Sequence, residues 1–118
     1  MRQSSRIPFR SIFRIKIYHR EQQELIGYAG DVSECGMKLL TDSEVEPGVV
    51  LPLRLQMRDH EGRMRRVDMD MTCQWCLENQ RTGHMEVGLA LSGESPQYVA
   101  LVEMIRSRRK KPAATLSS

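Results

Sequence analysis

The chain has 118 residues, 40% apolar and 28% charged, enough for one packed core and too few for two. Its net charge of +3 is unevenly spread: residues 1–20 hold six Lys/Arg and no acid, 106–111 hold five Lys/Arg, and 21–105 hold seven against fifteen acids, a net of −8. An acidic body with basic ends argues against a broad basic face for duplex DNA and for a local anion grip at a terminal arm. No apolar run approaches the ~18–20 residues of a membrane span. No apolar segment follows the first basic residues as it would in a secretory signal, and three cysteines (Cys35, Cys73, Cys76) make no disulfide framework, so the expected compartment is a reducing cytoplasm.

Residues 1–11 read as a flexible basic arm, with Pro8 steering Ile7 away from helical angles. Alternation then sets in. Phe13, Ile15 and Ile17 share one face and Arg14 and Lys16 the other, which predicts a half-buried strand. Leu25–Val32, loosened by Gly27 and Gly30, predicts a second strand and Gly36–Thr41 a third, and Asp42–Gly48 is a loop by composition. In Val49–Met57, Leu51, Leu53, Leu55 and Met57 alternate inward, while Pro52 implies an edge or a bulge. A turn at Asp59–Gly62 leads into a fifth strand, where Val67, Met69 and Met71 alternate with Asp68 and Asp70 as far as Trp75. Gln80–Gly83 turns again, and Met85–Leu91 is a sixth strand.

Ser95 as N-cap and Pro96 at the first helical position then open a helix. Its face is Tyr98, Leu101, Val102 and Ile105, and it is expected to stop at Pro112. The fold expected is all-β: a small six- to seven-stranded antiparallel barrel with one C-terminal helix, over residues 12–110, followed by a disordered tail at 111–118.

Two segments carry the chemistry. Arg2, Arg6, Arg10 and Arg14 recur every fourth residue. Residues four apart lie ~13 Å apart on an extended arm and ~5–6 Å apart on a helical turn, so either geometry offers two guanidinium forks to one ligand. Such a fork matches a phosphate or the O6 and N7 acceptors of guanine. Alone, the spacing is as well read as a solvated basic tail.

In Asp31-Val-Ser33-Glu-Cys-Gly36, Asp31 and Ser33 fall on one face of a strand, a carboxylate for guanine N–H donors beside a hydroxyl. Gly36 would allow positive φ or close approach of a ligand. A Ser-capped turn with its customary glycine fits the same residues. Cys73-Gln-Trp-Cys76 lacks the second pair of a zinc site, and residues three apart on a strand face opposite ways, so no metal is expected. His19, His60 and His84 fall near turns, and no catalytic constellation emerges.

Together the two segments resemble the PilZ domain family, whose signature is RxxxR followed by (D/N)xSxxG. Arg2-Gln-Ser-Ser-Arg6 precedes Ile7-Pro8-Phe9, and Asp31, Ser33 and Gly36 fill the second motif. Gly36-Met-Lys-Leu, Pro47-Gly48, Cys73-Gln-Trp75 and Val87-Gly-Leu-Ala-Leu91 continue the likeness to about residue 105. The resemblance implies a non-catalytic receptor for cyclic di-GMP, without a cofactor, held by Arg2, Arg6, Asp31, Ser33 and Gly36. Arg10 enters if the motif is Arg6/Arg10, but the apolar-Pro-apolar step favours Arg2/Arg6.

One departure is that the doubled arginine usual before the motif is reduced to Arg2. Signalling would follow ordering of the arm and pass to a downstream protein, from a monomer or homodimer. The alternative is a PilZ-like adaptor that binds no nucleotide and works through its surface or its basic helix. Single-stranded nucleic acid fits poorly with the acidic body and six aromatics, and no membrane partner is expected.

Overall fold

In the computed structural model the residues described are 7–8 and 15–117, with side chains described over 15–107. Seven strands and one helix follow in order: β1 (Ile7–Pro8), β2 (Lys16–His19), β3 (Glu24–Ser33), β4 (Gly36–Thr41), β5 (Val50–Arg58), β6 (Met64–Glu78), β7 (Met85–Ser92) and α1 (Pro96–Ser117). Six of them close an antiparallel barrel in the cyclic order β2-β3-β4-β7-β6-β5, the β3–β4 and β2–β5 pairings completing the ring. Closure leaves no long unpaired edge. β1 adds to the far end of the β3 edge that β2 occupies, pairing Ile7 with Val32 and Pro8 with Asp31.

Alternation of side chains explains the wall. Ile15 and Ile17 point inward from the start of the chain, Leu53, Leu55 and Met57 from β5, Val67, Met69 and Met71 from β6, and Val87 and Leu89 from β7. All are buried. Each buried aliphatic contributes about 1.5–3 kcal/mol from loss of water contact. Arg54, Asp68 and Asp70 take the outer face, where Arg54 binds Asp68 at 2.8 Å and Arg20 binds Asp70 at 3.0 Å. The expected partner of these inward residues, Phe13, lies outside the described residues.

The hairpin turns use the expected chemistry. The Asp59 carboxylate accepts from the N–H groups of Glu61 and Arg63, both at 2.9 Å, and Gly62 supplies the left-handed φ of 85° that returns the chain. At α1, the Ser95 hydroxyl accepts from the N–H of Tyr98, as an N-cap should. Tyr98, Leu101, Val102 and Ile105 are buried against the barrel, where α1 meets β6 and β3.

Three features differ from the expectations. Pro52 lies inside a strand paired on both sides. Its carbonyl accepts from Arg20 N at 2.8 Å, just beyond the last residue of β2, so the donor it lacks faces the point where that neighbour ends. In β6 the register shifts between Cys73 and Trp75. This bulge resets the alternation, so Cys76 packs against the core as Cys73 does, and the two do not face opposite ways. Burial pushes the Cys73 thiol up, which makes it a poor nucleophile. Among the described residues, no group of three or more His, Cys, Asp or Glu is placed to hold a metal.

Finally, α1 continues past Pro112 to Ser117, over residues expected to be a tail. A proline removes one intrahelical hydrogen bond and disfavours helical angles in the residue before it, but its own φ is helical, so it weakens a helix without having to end it.

Leu53→Ala should lower stability by about 2–5 kcal/mol through the cavity it leaves, whereas Leu77→Ala, at a residue 64% exposed, should stay within about 0.5 kcal/mol. Urea denaturation midpoints, at unchanged slope, measure both.

Candidate functional site

The Asp31-x-Ser33-x-x-Gly36 segment is the β3–β4 hairpin. Ser33 pairs with Gly36 across a two-residue turn of Glu34 and Cys35, and Asp31 pairs with Lys38. A register shift between Ala29 and Asp31 sets the faces here. With Val32 fully buried, Asp31 and Ser33 take the other face. Asp31 is half-buried, and Pro8 of β1 lies directly across from it. The hairpin therefore sits between β1 on one side and β7 on the other.

Ser33 is buried and its hydroxyl holds the turn. It accepts from Cys35 N–H at 3.3 Å and donates to the Gly36 carbonyl at 3.5 Å. This is the Ser-capped turn that the sequence also allowed.

Gly36 has a different role from the one expected. Its φ is not positive, and a Cβ here would lie 2.0 Å from the Leu89 carbonyl oxygen of β7. The missing side chain serves strand-to-strand contact, because β7 fills the space a ligand would have used.

The hairpin is also anchored from below. The Tyr98 hydroxyl, fully buried, donates to the Gly36 carbonyl at 2.7 Å. Glu34 forms an ion pair with Arg106 of α1. The Leu91 N–H donates to the Cys35 carbonyl at 2.7 Å. Burial, then the negative charge of Glu34, pushes the Tyr98 hydroxyl well above the ordinary tyrosine range. The hydrogen bond to Arg106 holds the Glu34 carboxyl below the usual carboxylate value.

The structure thus brings Asp31, Ser33 and Gly36 together beside Ile7–Pro8. Arg2, Arg6 and Arg10 lie outside the described residues. Sequence reasoning missed Tyr98, Glu34 and Arg106. Tyr98 could be read as a core residue of the helix face, but nothing in its spacing pointed to the hairpin, 62 residues earlier in the chain.

Comparison with known proteins fits this geometry. The PilZ domain family model matches residues 1–107. The chain belongs to the PilZ domain family.

No curated protein shows a significant sequence match. Among solved structures, this PilZ domain resembles the Bacillus subtilis inhibitor of motility MotI/DgrA, with a TM-score of 0.67 at 16% identity over 94% of this chain and 52% of that one. It also resembles YcgR from Escherichia coli in complex with c-di-GMP, with 0.64 at 13% identity over 95% of this chain and 47% of that one. The chain spans about half the length of these two proteins. Against the isolated PilZ domain of YcgR with c-di-GMP, the TM-score is 0.61 at 12% identity, covering 92% of this chain and 94% of the other. At such identities the likeness is one of fold.

Two outcomes follow from the hairpin geometry. Gly36→Ala should cost about 1–3 kcal/mol of stability without any ligand, through the clash with Leu89, as read by urea denaturation. A glycine needed only for ligand approach would leave stability unchanged. The raised Tyr98 pKa means the unfolded chain loses its proton first, near pH ~10. Stability from this hydroxyl is therefore complete below that pH and declines as pH rises above it. Tyr98→Phe should flatten the alkaline limb of a stability–pH curve.

Proposed function

We propose that this PilZ domain is a non-catalytic receptor for cyclic di-GMP, bound between its N-terminal arginines and the 31–36 hairpin. One observation carries the reading: β1 pairs Ile7 with Val32 and Pro8 with Asp31. Arg6 is one peptide from Ile7, so its Cα lies within ~3.8 Å of a residue docked on the motif strand. Arg2, four residues earlier, has at most ~14 Å of chain to span. Chain reach admits Arg10 too, two residues beyond Pro8, and the Ile7-Pro8-Phe9 step after Arg6 is what favours Arg2/Arg6 as the pair.

In this reading the arginine forks donate to phosphate oxygens and to guanine O6 and N7, and the Asp31 carboxylate accepts from the N1–H and N2–H₂ of a guanine. Gly36 contributes by letting β4 and β7 close together, which fixes the turn the ligand meets. Ser33 supports the same turn and offers its hydroxyl at the rim. The arm changes position when ligand binds, and that change is the signal to a downstream protein.

Support comes from family membership and from c-di-GMP in the YcgR structures that share the fold. A second reading, an adaptor that binds no nucleotide, draws on α1, whose Arg106 begins a run of five basic residues and is fixed to the hairpin through Glu34.

Calorimetric titration with cyclic di-GMP separates the two. The receptor should saturate at micromolar ligand, equivalent to about 8 kcal/mol, and Arg6→Ala and Asp31→Ala should each weaken binding at least tenfold. No heat at millimolar ligand leaves the adaptor. Wild-type affinity in both variants would move the site elsewhere.

A further inference from the structure

On the barrel wall formed by β2, β5 and β6 lies a second cleft. It has a volume of about 270 Å³ and is lined by Tyr18, His19, Arg20, Gln23, Arg54, Gln56 and Arg66. In the ring, β5 stands opposite β4, so this wall and the 31–36 hairpin occupy different sides of the domain. Pairing builds the cleft. Tyr18 lies across from Arg54 and Gln56 across from Arg66, while Leu53 and Leu55 point into the core.

The carboxylates beside this cleft are already paired. Asp68 takes Nε and Nη2 of Arg54 at 2.8 and 3.3 Å. Asp70 takes Nη2 of Arg20 at 3.0 Å, and its Nη1 goes to the Leu53 and Met69 carbonyls. The Gln56 amide oxygen takes Nε of Arg66 at 3.0 Å, which leaves the Gln56 NH₂ as the polar end not engaged. The Gln22 N–H donates to Nδ1 of His19, which puts the ring proton on Nε2.

Among the described residues, no acceptor takes either Nη group of Arg66, Nη1 of Arg54 or the Gln56 amide nitrogen. Arg66 also has no carboxylate partner among them. Gln23 holds a left-handed φ of 54°, uncommon for a residue with a side chain, and its N–H is tied to the His19 carbonyl at 2.7 Å. A concave surface whose carboxylates are already paired, with surplus donors and one unmatched positive charge, is complementary to a group that accepts and is negative.

We propose that the Arg54–Gln56–Arg66 cleft binds the phosphate group of a small ligand, independently of the hairpin site. Phosphate suits it better than carboxylate. The donors come from three strands, with Arg66 on β6, Arg54 and Gln56 on β5 and His19 on β2, and a tetrahedral oxyanion presents oxygens in as many directions. A planar carboxylate is satisfied by one fork and would leave the others unused.

The test is an NMR titration of the full chain, labelled with ¹⁵N, with sodium phosphate at constant ionic strength, following the arginine Nε–H signals. Saturable shifts confined to Arg54 and Arg66 are expected. Arg66→Gln should weaken binding at least tenfold, Arg66→Lys should restore part of it, and Arg6→Ala should have no effect. Guanosine monophosphate as a second probe separates the sources: tighter binding than inorganic phosphate assigns the cleft to a phosphomonoester, and equal binding assigns it to the free ion. Unsaturable shifts across all arginines, or unchanged affinity in Arg66→Gln, would overturn the proposal. Cyclic di-GMP titrated into Arg66→Gln keeps the two sites distinct, since failure of the hairpin site leaves the phosphate response intact.

Discussion

The close approach of Gly36 to the Leu89 carbonyl is the constraint on which the rest of this domain depends. A hydrogen in place of a methyl group lets β4 lie against β7, and that pairing closes one side of the barrel. The same residue's carbonyl accepts from Tyr98, so the helix is seated by the atom next to the contact. Glu34 and Cys35, between Ser33 and Gly36, add an ion pair to Arg106 and a hydrogen bond from Leu91. The hairpin that carries the family motif is therefore also where β3, β4, β7 and α1 meet. Buried polar contacts of this kind fix geometry because leaving any of them unmade costs about 1–3 kcal/mol.

This changes how the motif is read. Each residue of Asp-x-Ser-x-x-Gly invites a role toward a ligand, yet in the free domain two of the three serve the fold. Ser33 spends its hydroxyl on the turn and Gly36 makes room for a strand. Asp31, half-buried opposite Pro8, stands nearest the arm. In the proposed receptor, fold and recognition overlap here because a turn can present donors and acceptors at fixed spacing only when its own backbone is held.

Most of the barrel was legible from alternation alone, because apolar residues at every second position have one way to be buried. Leu53-Leu55-Met57 and Val67-Met69-Met71 are of this kind, and Ser95-Pro96 marked the start of the helix through its capping chemistry. The rest depends on contacts remote in sequence. The shift at Cys73–Trp75 adds one residue to a strand, and the sequence Cys73-Gln-Trp-Cys76 gives no sign of where that residue falls. Pro52 is tolerated only because β2 ends beside it, a fact about another strand. The helix passed its expected stop because Pro112 weakens a helix without forbidding it. The role of Gly36 required knowing that Leu89 was its neighbour. The cleft of Arg54 and Arg66 was hidden in the same way, since these residues read only as a solvent face until pairing sets Arg66 opposite Gln56, two residues along β5 and β6 from the Arg54–Asp68 pair.

The attachment of β1 bears on how the proposed receptor would switch. Among the described residues β1 pairs through two, and one of them is Pro8, which has no N–H to give. A net contribution of about 0.5–1.5 kcal/mol per hydrogen bond makes this a weak tether beside the ~8 kcal/mol of a micromolar ligand. A tether of that strength sets Ile7 and Pro8 in register with Val32 and Asp31 and costs little to undo. Strengthening it would leave the ligand little to change, and removing it would make the arm search freely for the hairpin at an entropic cost of about 1–2 kcal/mol per residue ordered. In the proposed receptor, a short pairing that contains a proline lies between those limits, so ligand contacts can decide where the arm rests.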